Sequence, residues 1–289
     1  MSYNAKMNTP SPMPTTFLSV GHFCYDVSPN GYILGGSASY STITARNLGH
    51  HARAVTAVGS NFDRENPLLA GIKTVYHESP ETTIFDNQYD AKGHRQQFIL
   101  GSAQQLKGND IPVEWRASDI AYLCPIADEV SSEVVHCFSD KTLIGATPQG
   151  WLRQWDASGR VEAKRWGTAK DILPYIDVLI LSDEDLRSYP DELEKYIGLT
   201  SIVVLTQGAQ GATLFQNGTQ LESAAYSATE IDPTGAGDVF ATAFLINYYQ
   251  SHSVKEALNF AHCVASFAVE GVGTTRIPKL EEVMSRLQK

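Results

Sequence analysis

The sequence predicts one α/β domain with a mainly parallel sheet and a small β flap. Three observations carry that expectation. Apolar runs of strand length recur along the chain as IAYLC from Ile120, TLIGA from Thr142, DVLIL from Asp177 and SIVVL from Ser201. Helical stretches separate them, which suits strands buried on both faces. The chain after Asp232 reads as mainly helical, and the segment from Thr82 to Leu100 breaks the strand–helix rhythm.

Residues 1–16 are polar and Pro-rich and read as a loose tail without the apolar centre of a signal peptide. Phe17 to Gly21 reads as the first strand. Ser37 to Leu48 reads as a helix stopped by Gly49, with Ala38, Ser41, Ala45 and Leu48 on one face. Arg53 to Val58 reads as the next strand. TTIFDNQYDAKGHRQQFIL, from Thr82, holds two strand-like runs around Asp90-Ala91-Lys92-Gly93, a hairpin foreign to a strand–helix series. The expected flap therefore spans about residues 72–105 of a single domain covering 17–289. GATLFQNGTQLES, from Gly211, carries Asn217-Gly218 between alternating runs, a type I′ hairpin signal. Helices are expected over Ala236 to Tyr249, Val254 to Val269 and from Lys279.

Composition narrows the function. Of 289 residues, 43% are apolar and 19% charged, enough for a large core. The net charge of -10 opposes general binding to nucleic acid or anionic lipid. Cys24, Cys124, Cys137 and Cys263 are scattered without a C-x-x-C pair, which fits a reducing cytoplasm. No apolar run reaches the roughly 20 residues that span a bilayer. The expectation is a cytoplasmic protein, monomeric or homodimeric through the exposed edge of the flap, with a small-molecule substrate.

The most informative stretch is IDPTGAGDVFATAFL, from Ile231. Gly235, Ala236 and Gly237 precede an apolar helical run, so the backbone can turn sharply and present several N–H groups at a helix start. Those groups and the positive dipole end make an anion site. Asp238, in the first turn, would repel a phosphate that was merely held there. It makes sense beside a transferring phosphoryl group whose attacker must lose a proton. On the fragment G-A-G-D alone, an ordinary helix start reads equally well. No G-x-x-x-x-G-K-S/T occurs, so the P-loop class is excluded.

DPTGAGDVFATAFL closely resembles the C-terminal signature of the ribokinase (PfkB-type) family of carbohydrate kinases. Other landmarks follow in order over roughly Phe17 to Pro278. GHFCYDV places Asp26 at the family's substrate-hydroxyl aspartate. GGSASYSTITARNLG resembles the N-terminal signature, with Gly35 and Gly36 near the substrate. TQGAQGATLF resembles the nucleotide-binding strand end, with Thr206, Gly208 and Gly211 near ATP. NFAHCVASFAVEGVGTT resembles the adenine-side helix and loop, with His262 and Gly273 near the base or ribose. The resemblance implies a three-layer α/β/α fold and phosphoryl transfer from ATP with Mg²⁺. Asp238 would be the base, and Gly235, Ala236 and Gly237 the anion hole.

The chain also departs from the family pattern. The frequent N-x-x-E is LSDEDL here, with Ser182 for the Asn and Asp185 for the Glu, so Asp185 would meet the metal through water. A helix start rich in acids is the alternative reading. The substrate-side strand end reads ATPQGWLRQWD, where Gln149 and Arg153 are candidate substrate ligands and a surface Arg is the alternative. TPQGWLR is similar to the inositol-kinase-like branch. Trp151, Trp155 and Trp166 read as packing for an irregular surface. The expected activity is phosphorylation of a hydroxyl on a sugar or inositol-like polyol. A nucleoside kinase of the same fold and a non-catalytic ligand-binding relative are the alternatives.

Overall fold

The computed structural model describes residues 13–89 and 95–288. The turn Asp90-Ala91-Lys92-Gly93, His94 and most of the expected tail lie outside these residues. In chain order the elements begin β1 (Thr16–Val20), β2 (Cys24–Ser28), β3 (Gly31–Gly35), α1 (Ser37–Asn47), β4 (His51–Val58) and β5 (Lys73–Glu78). They continue β6 (Thr83–Tyr89), β7 (Arg95–Gly101), β8 (Ile120–Leu123), β9 (Leu143–Ala146), β10 (Arg153–Trp155), β11 (Val161–Ala163) and α2 (Ala169–Ile172). The last third holds β12 (Val178–Ser182), α3 (Glu192–Leu199), β13 (Ile202–Thr206), β14 (Ala212–Gln216), β15 (Thr219–Ser223), α4 (Ala236–Ser251), α5 (Val254–Ala268) and α6 (Leu280–Leu287).

The central sheet runs β15-β14-β13-β12-β9-β8-β1-β4-β5. From β13 to β5 every pairing is parallel, and the β14–β15 hairpin adds an antiparallel edge. Asn217 (φ 50°) and Gly218 (φ 73°) make its turn, as the Asn-Gly pair predicts. Successive residues feed opposite cores, the period-two consequence of a pleated strand. Phe17, Val178, Ile180 and Val204 pack toward α1, α4, α5 and α6. Leu18, Leu179, Leu181 and Val203 pack toward the other face. Among the described residues that second layer holds the short α2 and α3, with 3₁₀ turns such as Ser132–Cys137. Trp151 and Trp166 stack there at 4.6 Å and are buried, so they are core residues. All three were expected to pack rather than bind a ligand; Trp155 is the exposed one of the three.

The flap is a separate four-stranded sheet, β3-β2-β6-β7. It comes from two hairpins, of which the sequence marked only β6–β7. β2–β3 went unseen because CYDVS-PN-GYILG alternates weakly and lies inside a glycine-rich landmark. β5, within the expected flap span of 72–105, pairs with β4 and belongs to the central sheet. Among the described residues no helix is long and apolar enough to cross a membrane.

Candidate active site

A cleft of about 940 Å³ lies outside the carboxyl ends of the parallel strands, between the flap and the start of α4. Side chains just beyond β8, β9, β12 and β13 reach it, as expected for an open parallel sheet.

Gly235 caps α4 with φ 77°, the left-handed conformation that only glycine adopts without strain. A Cβ there would also collide with the Tyr40 ring. The turn is braced by Asp232, whose carboxylate accepts from the amides of Thr234 (2.9 Å) and Gly273 (3.0 Å). Burial would raise the pKa of Asp232, but these hydrogen bonds prevail and hold it below the usual value. The Ala236 amide donates to the Pro233 carbonyl at 3.1 Å, so one expected member of the anion hole is spent inside the turn. The amides of Gly235, Gly237 and Asp238 find no acceptor among the described residues.

Asp238 lies on the cleft wall, half-buried. The Tyr122 hydroxyl donates to its Oδ1 at 3.2 Å, and Tyr122 also bonds Thr147 Oγ1 at 3.0 Å. Burial pushes the carboxyl up to about 6, against the hydrogen bonds from Ser37 and Tyr122 and the attraction of Arg153; Asp185 pushes it further up. A carboxylate poised there is ionised at neutral pH and still basic enough to accept a proton. Tyr122 escaped the sequence reading. Its one signal is a polar-tipped ring inside an otherwise apolar buried strand, which has to find a partner.

The inner face of the flap closes the other side. Strand register sets Asp26, Phe85, Asn87 and Gln97 on that face. Gln97 Nε2 donates to Asn87 Oδ1 at 2.9 Å, and Asn87 Nδ2 reaches Asp26 Oδ1 at 3.4 Å. Opposite stand Thr147, Gln149 and Arg153, the last above the Phe85 ring at 5.9 Å. Asn87 and Gln97 were missed because nothing local distinguishes them from other polar flap residues.

Gly36, Thr206, Gly208, Gly211, His262 and Asp185 also line the cleft. Asp185 Oδ2 accepts from the Ser182 amide at 2.9 Å, and burial raises its pKa. His262 meets Phe240 edge-on at 4.9 Å, and burial lowers it to about 4, so it is neutral. Two expected residues fall outside the lining. Gly35 lies directly behind Asp26, and Gly273 serves the backbone brace on Asp232.

Residues 157–280 match the model of the pfkB family carbohydrate kinases. A nucleoside kinase of Methanocaldococcus jannaschii is 22% identical over 88% of this chain and 85% of its own length. An inositol 3-kinase of Arabidopsis thaliana is 24% identical over 94% of this chain and 79% of its own. A pyrophosphate-dependent kinase of the ribokinase family, solved with a pyrophosphate analog and myo-inositol, superposes with a TM-score of 0.76 at 21% identity, covering 93% of this chain and 99% of that one. Residues 157–280 thus carry the likeness to pfkB family carbohydrate kinases, the chain has the ribokinase fold, and it is a phosphotransferase with an alcohol group as acceptor.

Proposed function

We propose that the chain transfers the terminal phosphoryl group of ATP to a hydroxyl of a sugar or inositol-like polyol, with Asp238 as the general base. One observation carries this reading: a cleft-facing carboxylate poised near pH 6 shares a helix start with three amides that find no acceptor among the described residues. The acceptor oxygen bonds to the γ-phosphorus as the bond to ADP breaks, and its proton passes to Asp238. The amides of Gly235, Gly237 and Asp238 stabilise the charge that spreads over the phosphoryl oxygens.

The rest of the cleft supports the two substrates. Beyond the α4 start it runs on to His262 and Ala265 of α5, to Val269 just after it and to residues 225–228, space that a nucleoside would fill and pyrophosphate would not. The polar row Asp26–Asn87–Gln97, facing Thr147, Gln149 and Arg153, suits a ring carrying several hydroxyls. Among the described residues no three acids, histidines or cysteines are grouped to cage a metal. That fits magnesium, which sheds water reluctantly and is held largely by phosphate oxygens and its own water shell. Bound with the nucleotide, magnesium would offset phosphate charge, and Asp185 is the residue that would hold its water.

A second reading, nucleoside phosphorylation, is favoured by the likeness to the archaeal nucleoside kinase and by Phe85, an aromatic surface on the acceptor side. ADP release from Mg-ATP across inositols, aldoses, ketoses and nucleosides decides between them, with Mg-pyrophosphate as a rival donor. Turnover with a polyol or sugar is expected. Turnover with nucleosides alone would move the assignment to the second reading, and no release with any acceptor would overturn both.

A further inference from the structure

Four chain segments join the flap to the three-layer domain, and all four meet at His22. This residue, wholly buried, lies on the first crossing, between β1 and β2. On the second, between β3 and α1, Gly36 packs so closely that a Cβ would stand 2.5 Å from the His22 carbonyl oxygen. At the third, where β6 begins, the Thr83 hydroxyl lies 2.8 Å from His22 Nδ1. At the fourth, beyond β7, the Gln104 carbonyl lies 2.9 Å from Nε2.

A carbonyl can only accept, so Nε2 carries a proton, and whenever the ring is neutral Nδ1 accepts from the Thr83 hydroxyl. The Thr83 oxygen in turn accepts the Ala103 amide at 3.0 Å. The His22 amide donates at 2.9 Å to Glu129 Oε1, a buried carboxylate that also receives the amides of Ile126 and Ala127 at the edge of the cleft. Packing alone could be met by an apolar side chain. A fully satisfied buried network specifies one geometry.

We propose that His22 is the hinge post of the flap and a positioning residue for the acceptor subsite, fixing Asp26, Asn87 and Gln97 relative to Asp238. The kinetic half of this inference rests on the proposed kinase reading; the mechanical half does not. Among the described residues, none of the hydrogen-bond partners of His22 lies in residues 206–211 or in α5, so loosening the hinge should spare the nucleotide.

The test compares His22→Leu, Thr83→Val and Thr83→Ser by hydrogen exchange of the ligand-free chain. Exchange is read over residues 83–89 and 95–101 of the flap and over residues 202–206 of the central sheet. With the first two variants the flap should exchange about tenfold faster while the central strand keeps its rate, and Thr83→Ser should restore both. With Mg-ATP and myo-inositol as probes, KM for the polyol should rise about tenfold and KM for ATP should stay within about twofold. Flap exchange that is unchanged, or that rises equally with the central strand, overturns the hinge. Should His22→Leu fail to fold, the Thr83 pair decides. Should myo-inositol prove not to be an acceptor, exchange alone still decides the hinge, and the acceptor panel judges the kinase reading separately.

Discussion

The wall that carries Asp238 comes from one continuous stretch, from Asp232 through α4, whereas the wall facing it is gathered from Asp26, Asn87, Gln97, Gln149 and Arg153 on separate segments. The first is fixed mostly within its own stretch, by a left-handed Gly235, an Asp232 bond to the Thr234 amide and a helix start, with the Gly273 amide on Asp232 as a long-range anchor. The second exists only when two hairpins and a strand-end loop dock correctly, which His22 and Glu129 arrange. On the proposed reading, chemistry sits on the wall built from one stretch, and recognition on the wall assembled from separate segments. Damage to the first should appear in turnover, and damage to the second in acceptor affinity.

Gly235→Ala should have the larger effect of two substitutions that probe this division. It forces a side chain into left-handed backbone and into Tyr40, costing about 1–3 kcal/mol of stability and displacing the amides. Turnover should fall by roughly 10²-fold or more, as when an oxyanion donor is lost. Steady-state kinetics and a melting curve check both. Native turnover in this variant would break the claim that the loop is rigid by necessity. Asp26→Asn should be milder. It keeps the shape but removes charge-assisted hydrogen bonding to a substrate hydroxyl, so KM for the acceptor should rise about tenfold or somewhat more with turnover largely kept. A loss confined to turnover would erase the distinction between the walls.

The same contrast explains what could be read from the sequence. Buried parallel strands announce themselves as apolar runs, and the Asn217-Gly218 turn by its residue pair, so the central sheet was legible. The geometry of DPTGAGD was legible because it is local: glycines, helix start and carboxylate are neighbours in the chain. Ala236 shows the limit, since composition marks an exposed loop but cannot say which amide turns inward to Pro233. Tyr122, Ser37, Asn87 and Gln97 acquire meaning only through long-range contacts. The β2–β3 hairpin was hidden because its pairing with β6 completes a sheet that neither segment encodes alone.

The most direct measurement is the pH dependence of kcat/KM for the wild type beside Asp238→Asn, with ATP affinity measured in both. A general base must be ionised, so the wild-type rate should climb as pH rises through about 6 and level off above it. Asp238→Asn should lose roughly 10²–10⁴-fold, show no rise near 6 and bind ATP as before. A variant that keeps near-native turnover, or a wild-type rate flat across that range, would contradict the role assigned to Asp238.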